Sequence, residues 1–305
     1  PVQVAAQDAG GNTVPTFTGP VTVAITAGSG TAGALLSGGA SVTVAAATSG
    51  VATFQGAQAL SIDKATANPY TLTASGALTS ATSAPFTITV GGLSQFAFTV
   101  PPTSTVAGAV INGTGGVQVT AQDAAGNALT SFTGQVTMSL GTNPVGGNLT
   151  GTLVKAAVAG VATFSDLNIA KASPGYQLLA TSGTANGLSQ AFAITAAPGN
   201  HLAFTAPPSN TVAGASISSP GGVQVTARDA NDNADPTFNG NVTVAITAGT
   251  GTAGALLSGG PTVTVQAQNG VATFPALNID KAGNNYSLTA TATGLTGGAS
   301  AAFRL

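Results

Sequence analysis

The sequence predicts an all-β chain of three tandem β-sandwich repeats. The pentapeptide GVATF occurs at residues 50–54, 160–164 and 270–274, which gives a repeat of about 110 residues, the size of one sandwich domain. Apolar and polar residues alternate with a period of two, and no segment keeps the 3.6-residue period of a helix. Gly, Asn, Asp and Pro separate the alternating segments, as in short strands joined by turns.

Each element of the repeat recurs in the same order. The landmarks are V-Q-V at Val2, Val117 and Val223, then Phe17, Phe132 and Phe238, then GVATF, then Y-x-L at Tyr70, Tyr176 and Tyr286. We expect the tyrosines and the GVATF phenylalanines to be core residues. The alternation predicts the rest of the middle core at Val117, Val119, Ala121, Val136, Met138, Leu140, Leu178, Ala180, Phe192 and Ile194. Seven-strand Greek-key sandwiches spanning residues 1–92, 93–197 and 198–305 are the simplest assembly.

The first repeat is predicted to lack its opening strand. The second and third repeats open with FAFTVPP at residues 96–102 and LAFTAPP at residues 202–208, whereas the first starts at V-Q-V. An unpaired sandwich edge invites a strand from elsewhere. That strand would come from preceding sequence, as the linker-plus-strand units between repeats favour, or from a neighbouring chain by strand complementation.

These motifs resemble the bacterial immunoglobulin-like repeats found in tandem in adhesins and in invasin- and intimin-type stalks. The resemblance rests on V-x-V-x-A-x-D-x-x-G-N at residues 2–12 and 117–127, on GVATF, on L-x-I-D-K at residues 60–64 and 277–281, and on Y-x-L-x-A. It covers essentially the whole chain. It implies immunoglobulin-like folds and a secreted, cell-surface spacer role. The chain departs from antibody-type domains because it has no Trp and no Cys pair.

The composition argues against several functional classes. The 305 residues include 6 Lys+Arg and 8 acidic residues, no cysteine and one histidine. So little charge gives nucleic acid or an anionic membrane little to bind. No apolar run approaches membrane-spanning length, and we expect no membrane span. No matching set of nucleophile, base and orienting residue can be assembled, so we expect no catalytic residues, no cofactor and no enzymatic activity.

One acidic turn in the third repeat is a candidate calcium site. Asp229, Asn231, Asp232 and Asp235 supply the hard oxygen ligands that Ca²⁺ prefers, in a string that resembles the calcium linker of cadherins. The equivalent turns at residues 8–12 and 123–127 carry fewer acids, and all three turns lie inside a repeat rather than between repeats. A turn capped by its own side chains is the better account.

Four other residues are candidate reactive groups. Lys64, Lys171 and Lys281 could in principle form isopeptide bonds as in some pilins, but the chain has no Glu to act as the acid, and we expect solvated lysines. The middle repeat has Ala170 where the others have the Asp of I-D-K, which argues against a required catalytic role there. His201 lies in a linker without a second imidazole and is expected to be a boundary residue.

The favoured function is structural: a repeat segment of a secreted bacterial fibre, stalk or filament. The expected partners are neighbouring repeats or further copies, because a surface with so little charge opposes side-by-side association only weakly. The alternative is an adhesin module that binds a glycan or host protein through its inter-strand loops. That alternative ranks lower because the loops are rich in Gly, Ala and Ser and offer no aromatic platform.

Overall fold

The computed structural model describes residues 1–217 and 221–305. These residues form β-strands and two short 3-10 helices, with no α-helix among them. The predicted all-β, immunoglobulin-like class is confirmed. Nowhere in the described ranges is there a helix long and apolar enough to cross a membrane.

The first repeat forms two separate sheets. One has the strand order β3-β2-β5-β6, and the other pairs β1 with β4. A 3-10 helix, Gly56–Gln58, follows β4. The strands are β1 (Val2–Ala5), β2 (Val21–Ile25), β3 (Ser41–Val44), β4 (Val51–Phe54), β5 (Leu72–Gly76) and β6 (Ala81–Thr82).

The second repeat forms one continuous path of hydrogen-bonded strands in the order β12-β10-β15-β16-β7-β9-β13. In addition, β17 pairs with β15 and β8, and β11 pairs with β14. A 3-10 helix, Gly113–Gly115, precedes β9. The strands are β7 (Gln95–Val100), β8 (Thr105–Val106), β9 (Val117–Gln122), β10 (Gln135–Thr142), β11 (Leu149–Thr150), β12 (Val154–Ala156), β13 (Val161–Phe164), β14 (Asn168–Ile169), β15 (Ser173–Ser182), β16 (Ala185–Leu188) and β17 (Phe192–Thr195).

The third repeat has the same order in seven strands, β21-β20-β23-β24-β18-β19-β22. Every pair in it is antiparallel except β18 with β24, which is parallel. The strands are β18 (His201–Ala206), β19 (Val223–Arg228), β20 (Asn241–Ile246), β21 (Thr262–Gln266), β22 (Val271–Phe274), β23 (Leu288–Ala292) and β24 (Leu295–Ala299).

The opening strand joins the two halves of a repeat. In the second repeat β7 pairs antiparallel with β9 on one side and parallel with β16 on the other, and β18 does the same between β19 and β24. In residues 1–92 no strand occupies this position, so the sheet path breaks between β1 and β6. Within residues 1–92 the structure contains no opening strand, as the sequence of these residues predicts.

Each repeat has its own hydrophobic core. The predicted core of the middle repeat is buried except for Leu140, which packs against it partly buried. Leu140 precedes a shift in the register of β10 against β15, and such a bulge interrupts the alternation of faces. All three tyrosines and the GVATF residues Phe54, Phe164 and Phe274 are at most 1% exposed, as predicted.

Candidate functional site: the junction between repeats

The middle repeat has two distinct ends, and each faces one neighbouring repeat. In the antiparallel pair of β9 and β13, Val117 lies opposite Phe164 and Thr120 lies opposite Val161. The Asp-Asn turn after β9 therefore lies at one end of the sandwich, and the segment after β13 leaves from the other end. Successive repeats meet through these two ends.

The Asp-Asn turn is capped by its own aspartate. Oδ1 of Asp123 accepts hydrogen bonds from the backbone N–H groups of Ala125, at 3.0 Å, and Asn127, at 2.9 Å. Asp229 caps the equivalent turn through the N–H groups of Asn231, at 2.8 Å, and Asn233, at 2.9 Å. This confirms the predicted side-chain-capped turn.

The asparagine that closes the turn reaches into the preceding repeat. Nδ2 of Asn127 donates to the Asp63 carbonyl at 3.0 Å, and Oδ1 of Asn127 accepts from the Ala65 N–H at 3.0 Å. One carboxamide thus serves two main-chain groups spaced two residues apart, as a peptide group does in a β-ladder. The turn at residues 123–127 lies inside the second repeat in the sequence, as expected, but in the structure it lies at the boundary and contacts the first repeat.

The second boundary is built in the same way. Nδ2 of Asn233 donates to the Ala170 carbonyl at 2.8 Å, and Oδ1 of Asn233 accepts from the Ala172 N–H at 2.9 Å. The contact uses only main-chain atoms of the preceding repeat. The change from Asp63 to Ala170 at equivalent positions therefore leaves it intact.

The linkers between repeats are held by the aspartates of the same turns. Oδ2 of Asp123 accepts from the Gly91 N–H at 3.0 Å, and Oδ2 of Asp229 accepts from the Ala197 N–H at 3.0 Å. At the second boundary the Gly199 N–H also donates to Oδ2 of Asp235, at 2.7 Å. Each linker is thereby tied to the repeat that follows it.

Burial of the turn follows from these contacts. Asp229 is 0% exposed and Asp123 is 6% exposed, whereas Asp8 of the first repeat is exposed. Burial raises the pKa of Asp229, but hydrogen bonds from Asn233, Ala197 and Asn231 outweigh it, so the pKa lies below its usual value. The pKa of Asp123 is lowered in the same way, by donors from Gly91, Asn127 and Ala125 that outweigh burial.

A buried tyrosine supports the other half of each junction. The tyrosine hydroxyl donates to a lysine carbonyl in the segment that receives the asparagine. The pairs are Tyr70 to Lys64 at 2.8 Å, Tyr176 to Lys171 at 3.0 Å and Tyr286 to Lys281 at 2.8 Å. The receiving segment is thus fixed directly to the core of its own repeat.

The candidate calcium ligands are used by the turn and linker. Both carboxylate oxygens of Asp229 and both of Asp235 accept hydrogen bonds from N–H or O–H donors. Nδ2 of Asn231 donates to the Ala107 carbonyl at 3.4 Å, and Asp232 is exposed. A cation would have to displace these donors, and this turn remains only the weaker, calcium-binding alternative to a side-chain-capped turn. Residues 1–217 and 221–305 contain no cluster of three or more His, Cys, Asp or Glu side chains suited to a metal.

The lysines and the histidine make local contacts. Nζ of Lys64 and Nζ of Lys281 donate to the carbonyls of Ala32 and Ala253, each at 3.2 Å, and Lys171 donates to the Asn231 carbonyl at 3.5 Å. Lys171 and Lys281 are exposed as expected, whereas Lys64 is half-buried. His201 is the first residue of β18, and its Nε2 lies 3.2 Å from Oδ1 of Asp232.

The missing opening strand leaves a groove in the first repeat. Val2 on β1 is 42% exposed, whereas the equivalent Val117 and Val223 are 0% exposed. In the second repeat the Phe96 ring packs edge-on against Phe132 at a centroid distance of 6.0 Å. The groove is apolar, and its lining includes Val4, Phe17, Val21, Ala74 and Ala81.

One residue in this groove differs from the other repeats. Gly187 on β16 and Gly298 on β24 lie opposite Ala180 and Ala290, and in the first repeat Ala81 lies opposite Ala74. A Cβ at Gly187 would come within 2.0 Å of the Phe96 carbonyl oxygen, and one at Gly298 within 2.2 Å of the Leu202 oxygen. The Ala81 methyl therefore occupies the place where an opening strand would lie in that register.

Comparisons with known proteins give only distant similarities. No family model matches the chain, and no curated protein matches it. Among solved structures it is similar to domains 4–9 of the surface layer protein SbsC, with 16% identity over 98% of this chain and a TM-score of 0.26. A β-glycosidase from Bacteroides vulgatus matches 65% of this chain and 23% of its own, at 14% identity and a TM-score of 0.25. Drosophila OTK extracellular domains 3–5 match 100% of this chain and 91% of theirs, at 13% identity and a TM-score of 0.24. The chain spans 41% of the SbsC structure, and TM-scores this low carry no conclusion about function.

Proposed function

We propose that this chain is a structural repeat segment of a secreted bacterial cell-surface fibre, stalk or filament. The observation that carries the proposal is the asparagine contact, which Asn127 and Asn233 make with the same donor and acceptor roles at both internal boundaries. A spacer needs a reproducible geometry from one repeat to the next. A junction that uses main-chain atoms gives that geometry independently of local sequence changes.

The two junctions also lie at opposite ends of the middle repeat, so the repeats follow one another in one direction. An interface that joins one end to a different end is heterologous, and such interfaces form open arrays unless the rotation between units closes a ring. The middle repeat contacts the first through its Asp123 turn and the third through residues 170–172. Further repeats of this type would lengthen the segment without changing the contact.

A finer part of the proposal is that a β-strand from elsewhere pairs with β1 of the first repeat. The free edge of β1, the exposed Val2 and the apolar groove beside them support this, because unpaired edges are templates for strand addition. The Ala81 methyl requires the incoming strand to shift away from the register that β7 and β18 use.

The adhesin alternative has less support. Recognition surfaces are enriched in exposed aromatic and Arg side chains. Tyr70, Tyr176 and Tyr286 are each 0% exposed and face the cores. A binding role would have to use the small, mostly uncharged loop residues.

Small-angle X-ray scattering of the 305-residue chain tests the proposed role. We expect an extended particle of well-defined maximum dimension for the wild type. The double substitution Asn127→Ala and Asn233→Ala should broaden the distance distribution, because each junction loses two hydrogen bonds. Asn12→Ala is the matched control, since the Asn12 side chain occupies the same turn position but hydrogen-bonds only to Asp8 of its own repeat. A wild type as flexible as the double variant would contradict the proposal, as would failure of antibodies against the chain to label the surface of intact producing cells.

A further inference from the structure

The outward face of one sheet is more apolar in the middle repeat than in the third. Strands β12, β10, β15 and β16 correspond to β21, β20, β23 and β24, and the strand registers give the equivalent positions. Larger apolar residues replace small or polar ones at three of these positions: Val154 replaces Thr264, Leu179 replaces Thr289 and Leu188 replaces Ala299. We refer to Val154, Leu179 and Leu188 as the apolar face of the middle repeat.

Water reaches this apolar face. Leu188 is 54% exposed, Val154 is 44% exposed and Leu179 is partly buried. Leu179 and Leu188 lie opposite each other on β15 and β16, and a Cβ at Gly141 of β10 would come within 2.4 Å of Cδ1 of Leu188. Leu188 therefore lies flat over the glycine and forms one patch with Leu179. Val158, in the turn after β12, is a further apolar side chain of this repeat and is 77% exposed.

Polar residues between these side chains have hydrogen-bond partners within the sheet. The Ser139 hydroxyl donates to the Leu179 carbonyl at 3.4 Å, and the Thr181 hydroxyl donates to the Thr137 carbonyl at 3.4 Å. Covering a polar group costs little free energy when its hydrogen bond is kept. A partner can therefore cover this face without leaving these two donors unpaired.

The residues of this face named above are uncharged. Lys155 of β12 is paired with Val136, which is buried, so Lys155 lies on the opposite side of the strand from Val154. Aliphatic side chains gain binding free energy by leaving water. The surface that matches this face is therefore another uncharged, apolar one.

We infer that the apolar face of the middle repeat is an interface with the same face of a second copy of this chain. The equivalent residues of the first repeat are Thr43, Thr73 and Thr82, and the third repeat has Thr or Ala. On these three equivalent sheets, an apolar counterpart is thus offered only by the middle repeat of another copy. The formal net charge of -2 over 305 residues opposes this association weakly.

The contact joins chains side by side. Two identical faces meet about a two-fold axis, and such an isologous contact closes at two copies. The inference goes beyond the proposed structural role, which concerns the order of repeats along one chain. Because the face consists of a few apolar side chains, we expect a reversible dimer at high protein concentration rather than a permanent one.

Sedimentation velocity over a concentration series, combined with NMR of the chain labelled at leucine methyl groups, tests this inference. For the wild type we expect a monomer–dimer equilibrium and concentration-dependent shifts of the Leu179 and Leu188 methyl signals. Leu188→Thr should weaken dimerisation at least about tenfold, because a symmetric contact loses the leucine twice. Added salt should not weaken it, since no pair of opposite charges is involved.

Leu256→Thr is the matched control. Leu256 is 41% exposed in the third repeat, so this variant loses the same side chain away from the apolar face and should dimerise like the wild type. Val154→Thr is a second test variant, because the third repeat folds with threonine at the equivalent position. It should also weaken dimerisation while the unfolding temperature stays close to that of the wild type.

Three outcomes would overturn the inference: a monomer at the highest concentration, association that Leu188→Thr and Val154→Thr leave unchanged, or association without shifts of the Leu188 methyl signals. A monomer that binds phosphatidylcholine vesicles through Leu188 would assign the face to a lipid surface instead. The proposed structural role is judged separately by the scattering of dilute samples. Ordered internal junctions in a chain that stays monomeric would reject the side-by-side contact alone.

Discussion

The Tyr176 hydroxyl donates a hydrogen bond to the Lys171 carbonyl, and the residues on either side of that lysine, Ala170 and Ala172, hold Asn233 of the next repeat. The core of one repeat is thereby connected to the neighbouring repeat through three consecutive residues. Tyr70 has the same relation to Lys64 and Asn127 at the first boundary.

Tyr176→Phe should loosen the second junction as well as the second repeat. Loss of the hydroxyl removes one hydrogen bond and leaves the Lys171 carbonyl unpaired, which should cost about 1 kcal/mol of unfolding free energy. We expect faster hydrogen exchange of the Ala172 amide. Tyr286→Phe is the matched control, because the third repeat has no asparagine docked on its receiving segment. Equal effects of both variants on the internal junctions would contradict the link between tyrosine and junction.

Gly251→Ala should destabilise the third repeat more than Gly249→Ala. Both glycines have positive φ, at 65° and 78°, so each substitution carries a left-handed backbone cost of about 1–2 kcal/mol. A Cβ at Gly251 would lie 2.1 Å from the Tyr286 ring, whereas one at Gly249 would meet nothing within 4 Å. We expect a further loss of about 1–3 kcal/mol for Gly251→Ala, measured by calorimetry of the full chain. Similar losses for the two variants would show that the ring can move aside.

The second junction should weaken in acid. The pKa values of Asp229 and Asp235 are lowered below the ordinary value of 3.8 because hydrogen bonds outweigh burial at both carboxylates. A lowered pKa in the folded state contributes stability above the unfolded pKa and loses it as pH falls through the folded pKa. The third repeat should therefore keep a constant unfolding temperature from pH 8 to about pH 5 and lose stability below about pH 4. Asp229→Asn should flatten this dependence, and an unchanged acid profile would show that other groups govern it.

Ala81→Gly should improve strand binding at the first repeat. The probe is a synthetic peptide with the sequence of residues 93–100, which includes the opening strand β7. Removal of the Ala81 methyl leaves room for a main-chain carbonyl of the incoming strand. We therefore expect the Ala81→Gly chain to bind the peptide at least about tenfold more tightly than the wild type, measured by calorimetry, and to show a larger rise in unfolding temperature on peptide addition. Thr82→Gly controls for a general effect of glycine, and a peptide with serine in place of Phe96 and Phe98 controls for apolar insertion. Equal affinity of the wild type and Ala81→Gly would show that Ala81 does not restrict the groove.

The strands and cores could be predicted from the sequence, because the alternation of apolar and polar residues shows which side chains face the core and the repeated motifs show where each strand recurs. The period-two alternation predicts that Val117 is a core residue, the repeated GVATF motif predicts Phe164, and both kinds of pattern predict Tyr176; all three are buried. Leu140 is only partly buried although the alternation predicts that it is buried. The cause is a shift in the register of β10 against β15, which depends on how the two strands pair and cannot be seen in the sequence of one strand.

The junction could not be predicted in the same way. The side chain of Asn127 binds main-chain atoms 62 and 64 residues earlier, and a main-chain partner has no residue type to search for. An asparagine recurs in the sequence at Asn12, Asn127 and Asn233, but turn capping is sufficient to explain it there, so the sequence indicates no contact with the preceding repeat. The sequence also shows an alanine, Ala81, where the second repeat has Gly187. That Ala81 restricts the groove follows only from the strand pairing, which places Gly187 opposite Ala180.

At each junction the asparagine contacts only main-chain atoms of the preceding repeat, and this affects how such chains can evolve. Asn233 donates to the Ala170 carbonyl just as Asn127 donates to the Asp63 carbonyl, so a repeat can follow another without a matched change in its predecessor. Duplication, deletion or reordering of repeats in the gene would then conserve the joint between any two of them. Chain length can change by whole units while the spacing of each unit is inherited unaltered.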